Sequence, residues 1–444
     1  MSSNAISPDS RIRNLAVSTL SRYERISASA RTILRDTAKR TGLSGAQAAS
    51  LNMLVLGVLK RLNTIDFIIA RVLRNRSPSS LSIPRRAMLR LAIFEGRWLR
   101  VSFKTLKNQY LENGDELTEA IRRALTLDVE DAIAHFDRVG QLSIRLSHPT
   151  FMVHTLLEHL PEREAIELMK ANNATPEHYV RVNRLLVPEE NRTDLMKNTD
   201  VRFVPDEDFA NLYHVTEGID KVVQSEIFQD GRLLIHDKAS VIAVDVLAPN
   251  KNDTVWDSCA APGMKTQLIA EILGSRGRLV ASDVYPERMR LGHNRCREMG
   301  CDSSQWLLAD ASYPPVRNID KILIDAPCTS TGILQRDPSY KWRLNKEYLS
   351  TMMTVQHKIL DSIITAFKDS PGVEILYATC SLLPHEGESQ IDSAMNSHNI
   401  ELVDIDLDCS RGYAGFKCSD KVRRPFPHID KTNGFFISKL RIPR

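Results

Sequence analysis

Asp253-Thr254-Val255-Trp256-Asp257-Ser258-Cys259-Ala260-Ala261-Pro262-Gly263-Met264-Lys265-Thr266 is the stretch on which the reading of the fold turns. A run predicted as a strand, Asp253–Trp256, gives way to small residues and a glycine, then to a helical pattern over Lys265–Leu273. Small residues let a backbone approach a ligand closely, and the helix N-terminus behind them directs free N–H groups at it. The segment is neither GxGxxG nor a Walker loop. Working outward, further strands are predicted at Arg278–Asp283, Ser304–Ala309, Lys321–Asp325, Val373–Ala378, Glu401–Ile405 and Phe435–Leu440. Helical patterns separate several of them, at Pro286–Met299 and Lys346–Phe367. Apolar strands alternating with helices predict an α/β, doubly wound parallel sheet over residues 236–444. The last strand follows directly on a loop, so it is the one expected to run antiparallel.

Ligands of such sheets sit beyond the carboxyl ends of the strands. The second predicted strand ends in Asp283, 18 residues after Lys265, where a carboxylate can accept both hydroxyls of a ribose. The third leads to Asp310, within reach of an adenine amine. Each aspartate taken alone is as readily a helix N-cap. The ordered set of small-residue loop, Asp283 and Asp310 favours a nucleoside-bearing ligand. It suits S-adenosylmethionine better than NAD, because nothing cradles a pyrophosphate and the sulfonium is positive.

The seven cysteines are Cys259, Cys296, Cys301, Cys328, Cys380, Cys409 and Cys418. A cysteine is usually a small buried hydrophobe. That account covers Cys328 and Cys380 badly, since both follow neighbouring predicted strands, in Asp325-Ala326-Pro327-Cys328 and Tyr377-Ala378-Thr379-Cys380-Ser381, and so face one crevice. Two thiols beside a methyl donor suggest a specific chemistry. C5 of cytosine is a poor nucleophile, and a thiolate adding to C6 makes the ring enamine-like so that C5 can attack a methyl group. Asp325 sits where an acid could hydrogen-bond N3 and the exocyclic amine. A second thiol can assist release. Spacing does not say which thiol attacks; whichever does should have its pKa lowered by its surroundings.

Net charge is only +4, but residues 1–107 hold 20 Lys/Arg against 5 Asp/Glu, and the remainder 39 against 50. A +15 segment rich in arginine, including Arg11, Arg13, Arg31, Arg86 and Arg90, suggests contact with a polyanion. Residues 11–140 carry helical periodicity and read as one all-α domain of five to seven helices, with a loop at Ser77–Ser82 ahead of Arg85–Trp98. Residues 141–235 read as a small α+β module, with helices at Val153–Leu160 and Pro161–Ala171 and strands at Tyr179–Asn183 and Val201–Val204. Arg336, Lys341 and Arg343 are candidate RNA contacts near the crevice. Cysteines too sparse for a disulfide scaffold and lacking a CxxC pair predict a reducing cytoplasm and no metal site. Met1–Ser10 lacks a signal-peptide core, and no window offers 18 uncharged apolar residues, so no membrane span is expected.

At CAAPGMK (259–265), Asp283, Asp310, DAPC (325–328), YATCS (377–381) and Asn433-Gly434-Phe435-Phe436-Ile437 the chain resembles the RNA cytosine-5 methyltransferases of the Sun/Nop type. The likeness extends over nearly the whole chain. It implies a NusB-like helical RNA-binding domain (1–140), a small α+β (RRM-like) RNA-positioning module (141–235) and a Rossmann-like class I methyltransferase domain (236–444). It further implies S-adenosylmethionine held by Cys259, Ala260, Ala261, Pro262, Gly263, Met264, Lys265, Asp283, Asp310 and Asp325. Cys380 would be the nucleophile, Cys328 the releasing thiol and Asp325 the group facing the base. The family commonly has glycine where Met264 stands, so this side chain must point away from the ligand. Lys265 could equally be structural. The implied partner is RNA, foremost small-subunit rRNA, with the protein a monomer. The alternatives are the same chemistry on tRNA, and a catalytically idle RNA-binding assembly factor.

Overall fold

In a computed structural model the described residues are 9–74, 76–111, 116–197 and 201–444. The N-terminal segment read for a leader therefore lies, as far as Pro8, outside them. The chain forms two compact units: residues 1–174 with Leu334–Asn345, and Thr175–Ile333 with Lys346–Arg444.

The first unit is helical. Nine α-helices are described between Ser10 and Arg145, where the sequence predicts five to seven: Ser10–Arg25, Ala30–Thr41, Gly45–Lys60, Leu62–Val72, Ile83–Trp98, Phe103–Tyr110, Leu117–Thr126, Val129–Ile133 and Arg138–Arg145. Several start on a side-chain cap: Asp9, Ser29, Ser44, Ser102, Asp128 and Asp137 each accept a backbone N–H of the first turn. One added break falls at Arg61, whose φ of −119° and ψ of 16° end one helix and begin the next. The apolar period continues through it (Leu54, Val55, Val58, Leu59, then Ile65, Ile68 and Ile69, all buried), so the sequence reads as one helix. Thr150–His159 and Glu162–Asn173, expected in the middle module, cluster with this unit.

Part of the arginine excess is internal. Arg13 donates to Glu95 at 3.0 and 3.1 Å, and Glu95 is fully buried. Arg86 and Arg90 converge on Glu24, and Arg90 also grips Asp66 at 2.6 Å. These three side chains cement the bundle rather than face a partner.

Leu334–Asn345 is a strap that leaves the second unit, packs in the first and returns. The break at Arg61 leaves helix-terminal carbonyls without intrahelical partners, and the strap supplies donors. Trp342 Nε1 donates to Leu59 O at 2.8 Å, and Lys341 Nζ to Lys60 O at 3.3 Å, Ser147 O at 2.9 Å and Asn173 Oδ1 at 2.5 Å. The Ala30 amide donates to Ser339 Oγ at 3.1 Å, and Tyr23 OH to Ser339 O at 3.2 Å. Lys341, expected as an RNA contact, is 0% exposed and touches no solvent. It serves the interior of the helical unit.

The second unit contains two sheets. The smaller joins β1 (Tyr179–Val182), β2 (Arg202–Pro205), β3 (Leu212–Glu217) and β4 (Leu233–Ile235) in the order β2-β3-β1-β4, every pair antiparallel. The larger joins β5 (Thr254–Asp257), β6 (Arg278–Asp283), β7 (Gln305–Leu308), β8 (Lys321–Asp325), β9 (Glu374–Thr379), β10 (Glu401–Val403) and β11 (Phe436–Arg441) in the order β10-β11-β9-β8-β5-β6-β7. β5 to β9 are mutually parallel, and β11 runs antiparallel to β9, as its loop connection predicts. From β5 the chain moves outward to β6 and β7, then crosses to β8 and β9 on the other side. That reversal is the switch point at which an α/β sheet opens a crevice. No described helix is long and apolar enough to cross a membrane.

Deleting residues 1–140 removes the Leu59, Lys60, Tyr23 and Ala30 partners of the strap. Limited trypsin digestion should then cut at Arg336, Lys341 or Arg343, while the full chain resists there. Equal resistance of both proteins would contradict this account.

Candidate active site

Along the carboxyl edge of the large sheet the strands present, in spatial order, Cys380 after β9, Asp325 at the end of β8 with Cys328 beyond it, Asp257 at the end of β5 with the small-residue loop beyond it, Asp283 at the end of β6 and Asp310 beyond β7. Neighbouring parallel strands therefore bring together residues that the sequence separates by up to 123 positions.

The two thiols meet: Cys328 Sγ lies 3.3 Å from Cys380 Sγ, well beyond a disulfide bond of about 2.05 Å, and both are free. Beside them Lys265 Nζ donates to Asp325 Oδ2 at 2.8 Å and lies 5.3 Å from the Phe435 ring centroid. Burial works against the Lys265 ammonium, but Asp325 outweighs it and its pKa ends above the ordinary lysine value; Cys380 acts in the same sense. The Cys380 sulfur thus lies within electrostatic reach of the Lys265 ammonium. Cys328 has the opposite surroundings. Contact with Cys380, burial and the charge of Glu386 all push its thiol pKa well up. Cys259, in the loop after β5, is likewise held protonated by burial.

Sequence reasoning missed Glu386, which holds the two cysteine turns in register. Its fully buried carboxylate accepts from Thr329 N at 2.8 Å, next to Cys328, and from Ser381 Oγ at 2.5 Å, next to Cys380. Gln356 Nε2 donates to it at 3.0 Å and to Pro327 O at 2.8 Å. Behind it Arg424 and Glu388, both with fully buried side chains, form a bidentate pair at 2.6 Å, and Arg424 Nη1 donates to Ser381 O at 2.9 Å. The turns also touch directly: Gly332 N donates to Cys380 O at 2.9 Å, and a Cβ on Gly332 would fall 1.8 Å from Gly434 O. The available signal was the pair of glutamates in Pro384-His385-Glu386-Gly387-Glu388, close after a strand end yet too polar for the buried place they occupy.

The loop after β5 ends in Gly263, whose φ of +99° is left-handed; a Cβ there would approach Cys296 Sγ to 3.0 Å and Gly292 O to 3.2 Å. Met264 opens the following helix and packs its side chain into the core, so it does not crowd the crevice. Asp257 is buried with Oδ2 accepting from Thr266 Oγ1 at 2.7 Å and Oδ1 unpartnered. Burial pushes its pKa up to about 7, and Asp325 adds to the rise. Asp283 is 4% exposed; its Oδ1 accepts from Tyr285 N at 3.0 Å and Arg288 stands 3.3 Å from Oδ2. Asp310 makes a local bond to Ser312 N at 2.8 Å. A glycine-walled loop, an unpartnered buried carboxylate oxygen and acids at successive strand ends fit a cationic nucleoside.

Such a sheet and crevice define an S-adenosylmethionine-dependent methyltransferase. Residues 244–441 match the family described as 16S rRNA methyltransferase RsmB/F, residues 10–125 the NusB family, and residues 148–216 the ferredoxin-like domain of RsmF/B-like methyltransferases. The three matches follow one another along the chain, and the RsmB/F methyltransferase match spans the large sheet and its crevice. Ribosomal RNA small subunit methyltransferase B of Shigella sonnei (strain Ss046) is 25% identical over 410 residues, 90% of this chain and 91% of that protein. The 28S rRNA (cytosine-C(5))-methyltransferase of Mus musculus is 27% identical over 68% of this chain and 39% of its own length. Among solved structures, PH0851 superposes with a TM-score of 0.79 at 24% identity, covering 98% of this chain and 99% of its own. NSun6 from Pyrococcus horikoshii, solved with SFG, gives 0.59 at 21% identity over 67% of this chain and 98% of its own.

Two outcomes follow. A cation bound beside Asp257 lowers its pKa, so S-adenosylmethionine binding near pH 7 should release a proton, and affinity should rise from pH 6 to 8. Calorimetry in buffers of different ionisation enthalpy reads this; identical heats in all buffers would refute it. Glu386→Ala leaves buried donors on both cysteine turns unsatisfied, at about 1–3 kcal/mol each. Methylation kcat should drop at least about tenfold while cofactor affinity changes little; an unaltered kcat would remove Glu386 from this role.

Proposed function

We propose that the protein transfers a methyl group from S-adenosylmethionine to C5 of a cytosine in RNA, with small-subunit rRNA as substrate, through a covalent bond between Cys380 and C6. The observation that carries this reading is the pair of free thiols 3.3 Å apart beside the Lys265–Asp325 pair. Binding or scaffolding alone gives no reason to hold two reactive sulfurs at a crevice edge.

S-adenosylmethionine supplies an electrophilic methyl group on a sulfonium. The small-residue loop 259–265, Asp283 and Asp310 would hold it, with Asp325 between it and the base. The protein residues then perform the remaining work. Cys380, as the thiolate, forms the Sγ–C6 bond, and its electron pair displaces the C5–C6 π electrons into the ring so that C5 can take the methyl group. Asp325 accepts a hydrogen bond from the exocyclic amine and orients the ring. Cys328, protonated at rest because of burial and Glu386, does not compete as nucleophile. As the Sγ–C6 bond forms, Cys328 gives this proton to the ring nitrogen N3, which releases it to water once the ring is methylated, and the thiolate left behind is a strong base for the same reason. Removing the C5 proton lets that bonding pair re-form C5=C6 while the Sγ–C6 pair returns to Cys380. The base must be unstacked for its C6 face to be reached.

The substrate assignment rests on architecture. The relative named for the small ribosomal subunit aligns over 90% of this chain, and residues 10–125 match the NusB family. The +15 segment supplies counter-charge for phosphate.

Incubation with labelled S-adenosylmethionine and RNA from a strain lacking the gene should place 5-methylcytosine in small-subunit rRNA. Cys380→Ala should abolish incorporation and form no adduct. Cys328→Ala should accumulate an enzyme–RNA complex that survives denaturing electrophoresis. An adduct with the first variant only, or with neither, overturns the roles; label in tRNA alone overturns the substrate; no label in any RNA overturns the reading.

A further inference from the structure

The helical unit holds a cleft that the reaction described above does not use. It encloses about 300 Å³ and is lined by Arg61, Thr64, Trp98, Arg145, Lys170 and Asn173 among others. Arg61 stands at the helix break, its guanidinium carbon 5.7 Å from the Phe94 ring centroid and 5.4 Å from that of Trp98. Among the described residues its guanidinium makes one hydrogen bond, a long one of 3.5 Å from Nη1 to Gly57 O. The adjoining Lys60 donates to Ala174 O at 2.5 Å, and Lys341 lies behind them with its three carbonyl-type acceptors. No carboxylate among the described residues pairs with Arg61, Lys60 or Lys341.

Three neighbouring cations without an acid repel one another, and burial adds to the cost. Burial pulls Lys60 down to about 8, with Arg61 and Arg31 adding to the effect. Burial, Lys60 and Arg61 also draw Lys341 toward neutrality, yet its three acceptors use three protons, which only the charged ammonium has. At the mouth, Arg145 pairs with Glu130 and Lys170 with Glu167 at 2.8 Å, all on side chains at least 36% exposed. Such surface pairs are weak and exchange readily for a stronger anion. The bundle elsewhere neutralises its arginines with buried acids, as at Arg13–Glu95, so the absence of one here is a local property of the cleft.

We propose that this cleft is a phosphate-binding subsite for the RNA substrate, in which Arg61 forks onto one backbone phosphodiester, Lys170 and Arg145 flank it, and Lys60 and Lys341 supply field from behind. The proposal rests on the RNA reading above and adds a defined contact on the helical unit. A phosphate contact positions RNA without reading its sequence, so it should act on affinity and leave the chemistry intact.

The test measures binding of the full chain to a single-stranded RNA 20-mer from 50 to 300 mM salt, with methylation kinetics in parallel. Arg61→Gln should weaken binding roughly five- to tenfold, reduce the slope of log affinity against log salt by about one, and raise KM for RNA with kcat unchanged. Lys170→Gln, on an exposed side chain that cannot unfold the bundle, should act in the same direction to a smaller extent. Wild-type affinity and salt slope in both variants overturn the subsite. A wild-type protein that neither binds nor methylates RNA overturns the functional reading instead, and the two failures are thereby distinguished.

Discussion

Two sulfur atoms 3.3 Å apart, each on a separate turn, constrain much of the catalytic unit. Their separation is set by neighbouring parallel strands and by what lies under the turns. Glu386 ties the residue after Cys328 to the residue after Cys380, and Arg424 with Glu388 fixes the carbonyl of Ser381 from below. Both carboxylates are buried, which is tolerable only because each is saturated with donors. The contact of Gly332 with Gly434 brings the last loop into the same assembly and explains why neither position accepts a side chain. The sulfurs are equivalent in covalent structure, but contact with Cys380, burial and the charge of Glu386 together hold the Cys328 thiol protonated.

The charge of the helical unit divides into two populations. Arg13, Arg86 and Arg90 spend their charge on Glu95, Glu24 and Asp66, holding helices together. Among the described residues, Arg61 and Lys60 have no such partner. A count over 107 residues cannot separate these populations, because the acids that neutralise the first are placed by tertiary packing.

Much of the architecture was legible. Apolar strands alternating with helical periods announced the parallel sheet, and the loop ahead of Phe436 announced its reversed strand. Asp283, Asp325, Cys328 and Cys380 stood at predicted strand ends, which is why one crevice could be inferred from residues far apart in the chain. Other features left no local trace. β4 is three residues long, too short for a period, and the helix Lys238–Leu247 is apolar on nearly every side and rich in branched residues, which suits a strand equally. The break at Arg61 does not interrupt the apolar pattern. Lys341 looked like a surface charge because nothing adjacent in sequence reveals that Lys60, Ser147 and Asn173 supply its acceptors. Glu386 was missed for the same reason: its partners, Thr329 and Gln356, are 57 and 30 residues away.

The strap gives the protein an order of assembly. A ribosome releases the N-terminal helices first, and those helices have most of their core within the first 125 residues. The carbonyls of Leu59 and Lys60 must nevertheless wait for Trp342 and Lys341, made some 280 residues later. The first unit is thus begun early and closed late, and its closure reports that synthesis has already passed Cys328.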